Sequence, residues 1–123
     1  MERTLIIFCS GGAGCVARYL IALALGPRAF PFATLIVNLV GSFLIAFILE
    51  LAVVRGDFPI NRNLALTTGF MGGFTTYSSF NFETTTLMLD GHPARGLINI
   101  GVTLIGAASA GLLGLWLARQ IAS

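Results

Sequence analysis

Charge is the scarcest commodity in this chain. Only 10% of its 123 residues are charged, lysine does not occur, and histidine occurs once. So little polar surface cannot coat a soluble globule of this size, whereas 56% hydrophobic residues and a mean hydropathy of +0.91 suit a lipid bilayer. Carboxylates are missing from the middle of the first, second and fourth apolar segments: Glu50 lies near an end, and Glu83 and Asp90 fall toward the end of the third. A proton-coupled cation exporter needs a central acid to hold cation and proton in turn, so a small multidrug-type secondary transporter is disfavoured. The two cysteines, Cys9 and Cys15, are six residues apart on one helix and do not face each other. Lipid-buried cysteine behaves as a small hydrophobe, and neither a disulfide nor a metal site is expected from them. No nucleotide-binding, metal-catalytic or nucleophile motif appears, so the chain is read as neither an enzyme nor a nucleic-acid partner.

What is present is apolar length. A bilayer core is roughly 30 Å thick and needs about 20 apolar residues to cross. Segments of approximately 5–25, 32–54, 64–89 and 97–118 qualify, which predicts an all-α integral membrane protein with four transmembrane helices in a single domain, 1–123. The connectors "GPRAFP", "RGDFPINRN" and "DGHPAR" each combine proline with glycine or charge, the chemistry that stops helices. The first segment is too long for a signal peptide, contains Arg18 and is followed by three more spans.

Four spans put both termini on one side. Arg3, Arg55, Arg62 and Arg119 then oppose Arg28 and Arg95, with Arg18 leaning toward the second group. That bias is weak under the positive-inside rule and predicts a chain able to insert both ways up, its copies pairing antiparallel about a two-fold axis in the membrane plane. Four helices fill their own core, so an aqueous pathway is expected between chains rather than within one. The small-residue runs "GGAG" from Gly11 and "GAASAG" from Gly106 allow close helix contact.

Polar residues at membrane depth are costly and mark candidate sites. Thr34, Asn38 and Ser42 recur every four residues and form one stripe on the second span. The third span adds Thr67, Thr68, Thr75, Thr76, Ser78, Ser79 and Asn81; the fourth adds Asn99, Thr103 and Ser109. These groups donate hydrogen bonds without carrying charge, which suits an anion that must replace its lost hydration. Phenylalanine edges are electropositive, and Phe74, Phe80 and Phe82 cluster with Tyr77 among ten phenylalanines.

The stretch "GFMGGFTTYSSF", Gly69 to Phe80, interrupts the third span. Each glycine costs about 1 kcal/mol relative to alanine in a helix, and the dense Thr and Ser offer competing bonds. The third helix is therefore expected to break near Gly72 to Thr76. Non-helical backbone survives in a bilayer only where protein or a water-lined cavity satisfies it.

"GGAGCVARY" in the first span, "TLIVNLVGSF" in the second and "GFMGGFTTYSSFNFET" in the third resemble, at this spacing and chain length, the small fluoride channels of the Fluc (CrcB) family. The resemblance covers essentially the whole chain. It implies a fluoride-selective channel of the cell's inner (plasma) membrane, multi-pass and surrounded by lipid. Such a channel exports cytoplasmic fluoride passively and protects the cell from its toxicity. It further implies an antiparallel, dual-topology homodimer with a structural sodium ion at its centre, held by the backbone carbonyls of Gly72 and Thr75 from each chain; hard oxygen ligands suit a hard cation. By motif position the fluoride pathway would be lined by Asn38, Tyr77, Ser78, Ser79 and Phe80. Thr34 and Thr76 join it from the polar stripe and the break, and Asn99 and Thr103 from the loosely matching fourth span. Arg18 and Glu83 would sit at the vestibule. The family usually carries phenylalanine where this chain has Tyr77. A non-conducting membrane assembly subunit remains the other alternative, and it leaves the coincidence of polar stripe and broken helix without a reason.

Overall fold

The computed structural model describes residues 1–123 and is helical almost throughout, with no strand. Three helices are long and apolar enough to cross a membrane: α1 (Glu2–Leu25), α2 (Phe32–Arg55) and α6 (Pro93–Ala122). Between α2 and α6 the chain makes the rest of its passage in pieces: α3 (Ile60–Leu64), a π-helical turn (Ala65–Met71), α4 (Gly72–Phe74) and α5 (Tyr77–Leu89). Helical backbone starts ahead of the apolar window at Ile60, because Pro59 leads into a polar first turn, Asn61 to Asn63, that hydropathy does not register. The last helix likewise begins with Pro93 in its first turn, where a missing N–H costs nothing.

Between α4 and α5, Thr75 (φ −88°, ψ 157°) and Thr76 (φ −151°, ψ 123°) are extended. Both are β-branched and at ease there. Thr76 caps α5, its Oγ1 accepting from the Ser79 N–H at 3.2 Å. The preceding π turn is wider than an α turn, a form common at functional sites.

Two glycine contacts fix where these pieces lie. At Gly14 a Cβ would fall 2.1 Å from the Phe70 carbonyl oxygen, so α1 touches the π turn backbone to backbone. At Gly41 a Cβ would fall 2.1 Å from Thr75 Cγ2, so α2 passes directly beneath the extended pair. Close approach of this kind is how membrane helices gain packing energy where lipid supplies no hydrophobic drive between them. The main helix pairing is α2 with α6, α1 holds the π turn and α4, and α5 leans on α6.

Little of this chain is buried in its own core. Val37, Met71, Phe74, Phe80 and Ala118 are the buried hydrophobics, while α1 and α6 expose long apolar faces that include Leu20, Leu23, Leu104, Ile105 and Trp116. In a bilayer such faces meet lipid or another helix.

Candidate functional site

The extended pair organises the site. Residue 76 would ordinarily donate its N–H to the Gly72 carbonyl, continuing the helix. Instead the Thr76 N–H donates to Asn38 Oδ1 at 2.8 Å, and Asn38 Nδ2 donates to the Thr76 carbonyl at 2.9 Å. A carboxamide is the one uncharged side chain that can offer donor and acceptor side by side, so Asn38 replaces both bonds the break removes at that residue. The Gly72 carbonyl thereby loses its helical i+4 donor and the Thr75 carbonyl oxygen accepts no hydrogen bond, while Gly73 O accepts from Arg18 Nε at 3.1 Å. Thr75 Oγ1 turns back to Met71 O at 2.9 Å.

Two crevices meet at this clamp. The first, about 210 Å³, has Asn38, Thr75, Thr76, Tyr77, Phe80 and Thr103 in its wall, with Ser42 below. The Tyr77 and Phe80 rings stand one helical turn apart, centroids 5.9 Å and planes 54° apart, so an edge of one approaches the face of the other. Phe80 is buried and Tyr77 is 77% exposed on the outer side.

The second crevice, about 340 Å³, lies on the other side of Thr76 and gathers Arg18, Thr34, Ser79 and Glu83. Thr34 donates to Glu83 Oε1 at 2.8 Å, and Glu83 Oε2 is enclosed without a partner. A third hollow of about 320 Å³ shares Thr34 and Glu83 with it and extends to Arg28 in the first connector. Arg18 and Arg28 thus stand at this end together with the Glu83 carboxylate, while the wall of the first crevice carries no charged group.

Most of the residues singled out in the sequence converge on these hollows, but not all. Ser78 is exposed and lines neither crevice; its Oγ lies 3.3 Å from Thr76 Oγ1. Gly72 is exposed, and a Cβ there would meet nothing nearer than the Thr67 carbonyl at 3.8 Å. Asn99 is buried behind the wall, donating to Thr84 Oγ1 at 2.9 Å. Thr84 escaped the sequence reading altogether. It donates to the Phe80 carbonyl at 2.7 Å, and its place four residues after Phe80 is the signal that could have found it.

Comparison with known proteins finds relatives over nearly the whole chain. The family model described as "CrcB-like protein, Camphor Resistance (CrcB)" matches residues 5–115. A Chlorobaculum tepidum protein named fluoride-specific ion channel FluC is 45% identical over 121 residues, 97% of this chain and 96% of its own length. Proteins of the same name from Sorangium cellulosum and Geobacter sulfurreducens are 44% and 41% identical, each over 98% of this chain and at least 98% of their own.

Proposed function

The chain belongs to the CrcB family, and from that premise we propose that it is a fluoride-specific ion channel through which cytoplasmic fluoride leaves down its electrochemical gradient. It is a multi-pass protein of the plasma membrane and not an enzyme; a multidrug-type exporter or a non-conducting subunit is not favoured by this membership.

The observation that carries the reading is the clamp of Asn38 on Thr76 between two hollows lined by hydroxyls and aromatic rings. Fluoride is small and strongly hydrated, and it sheds water only where donors replace it. Thr34, Thr76, Ser79 and Thr103 supply O–H groups, Asn38 an amide, and the Tyr77 and Phe80 edges a further positive rim. None of these carries a charge that would hold the ion too tightly for it to leave. At the other end Arg18 and Arg28 outnumber the Glu83 carboxylate, so the balance of charge there favours anions. Fluoride enters cells as the neutral acid, dissociates, and is driven outward by an inside-negative potential worth about 2.3 kcal/mol per charge per 100 mV.

The working form is an antiparallel homodimer of dual topology, each third helix broken at Thr75 and Thr76. Three features support this. The crevices of one chain are open at their sides, Tyr77 and Phe82 project outward at 77% and 70% exposure, and the arginine bias is weak. Sodium fits the same form. The Thr75 carbonyl oxygen has no hydrogen-bond partner, the Gly72 carbonyl has lost its i+4 donor, and Gly72 is exposed. Two oxygens are too few to replace the hydration of a cation, so a second copy must bring its own pair. When bound, the ion neutralises carbonyl dipoles that the break would otherwise strand in the membrane.

Fluoride efflux from liposomes containing only the purified protein, read by a fluoride electrode with a chloride control, tests the reading. Rapid fluoride release with chloride retained is expected; silence from folded dimers in sodium would overturn it.

A further inference from the structure

Behind the first crevice runs a buried chain of hydrogen bonds that both begins and ends in the crevice wall. Thr103 Oγ1 lies 3.4 Å from Asn99 Oδ1, Asn99 Nδ2 donates to Thr84 Oγ1 at 2.9 Å, and Thr84 Oγ1 donates to the Phe80 carbonyl at 2.7 Å. The four residues are 8%, 1%, 4% and 9% exposed, so water does not compete for these bonds. Thr103 and Phe80 line the crevice on opposite helices; Asn99 and Thr84 do not line it at all.

We infer that Asn99 is a positioning residue of the pathway, setting through Thr84 how far the α5 wall, with its Tyr77 and Phe80 rings, stands from the α6 wall at Thr103. The inference rests on the channel reading above. Its physical ground is the loose attachment of α5. That helix starts from two extended residues, has α6 as its principal neighbour, and is outward-facing along much of its length. Asn38 on Thr76 and Thr34 on Glu83 tie this helix to α2, but toward α6 apolar packing alone would leave it free to slide or roll. A directed pair of hydrogen bonds one turn below Phe80 does not, and in a dry interior the pair is costly to leave unmade.

Asn99 suits the role by its inventory. Its amide spans from α6 to α5 with Nδ2 while Oδ1 stays within reach of Thr103 on its own helix, one turn along. Leucine has the same γ-branched heavy-atom skeleton and neither function. Asn99→Leu therefore removes the tie while keeping the space filled.

The test is the unitary fluoride current of single channels in planar bilayers, which does not depend on how much protein folds. Wild type is recorded beside the variants, and a silent wild type would count against the channel reading rather than this one. Asn99→Leu is expected to lower the unitary current by about twofold to thirtyfold, the range of coupling carried through a packed network. Thr84→Val should reproduce the loss, the double variant should lose no more than either single one, and Thr84→Ser, which keeps the hydroxyl, should conduct like wild type. A folded Asn99→Leu channel with wild-type unitary current would overturn the inference, as would equal damage from Thr84→Ser. Should the single variants not fold, the double variant, which removes both partners together, is read in their place. If that also fails to fold, the pair is a requirement of folding rather than of positioning, and the inference falls.

Discussion

Replacing Asn38 by aspartate changes one atom for another of nearly equal size and tests the clamp most directly. Asn38 Oδ1 accepts from the Thr76 N–H at 2.8 Å and Nδ2 donates to the Thr76 carbonyl at 2.9 Å. An aspartate keeps the first bond and turns the second into an oxygen facing an oxygen. The Thr76 carbonyl is then left unsatisfied, which costs about 1–3 kcal/mol. The new charge acts separately on any anion in the crevice. At about 4 Å and an effective dielectric near 20, two like charges repel by about 4 kcal/mol, which lowers anion occupancy about a thousandfold. The second effect is the larger, so Asn38→Asp is expected to abolish fluoride flux even where the protein still folds. Asn38→Leu has the first kind of defect without the second: it strands both the N–H and the carbonyl of Thr76 and adds no charge. Electrode-monitored efflux from liposomes, with oligomeric state checked by size exclusion, separates the two. Undiminished flux through Asn38→Asp would refute a crevice in which Asn38 faces the ion, and with it the argument from uncharged donors.

Phe80→Ile keeps an apolar side chain but removes the ring edge that faces the crevice; fluoride efflux should fall at least tenfold, about 1.4 kcal/mol, and a wild-type rate would dismiss the aromatic contact. Purification and reconstitution without sodium should give an inactive protein in which sodium restores flux and larger cations do not; indifference to sodium would remove Gly72 and Thr75 as its ligands. Gly14→Val places carbon where the Phe70 carbonyl already lies, against backbone that cannot yield, and should destabilise the protein by about 1–3 kcal/mol or more, read as a lowered melting temperature in detergent. Reporter fusions to the C-terminus should give signal on both sides of the membrane; signal on one side alone would end dual topology.

Different parts of this molecule were legible in the sequence to different degrees, for physical reasons. Helical length in apolar stretches is a local property, and Phe32–Arg55 can be read from composition to within a residue. The stripe of Thr34, Asn38 and Ser42 is equally local, since four-residue spacing alone puts side chains on one helical face. What each member of that stripe bonds to is not local. Thr34 finds Glu83 and Asn38 finds Thr76, 49 and 38 residues away, and no periodicity encodes either pairing. The π-helical turn at Ala65–Met71 was also hidden: nothing in the residues "ALTTGFM" marks it, and its close contact with α1 is not local. Asn99 illustrates the limit well. A polar residue on an apolar helix signals importance, but only the fold tells a residue facing a pathway from one bracing the wall behind it.

One consequence follows from Thr76 standing in both crevices at once. Thr76 lines both, so a single residue separates the two crevices there. What Asn38 holds at that partition is main chain: a peptide N–H and carbonyl that no substitution at position 76, short of proline, can delete. Mutation can loosen what holds that peptide in place far more easily than it can rewrite the peptide itself.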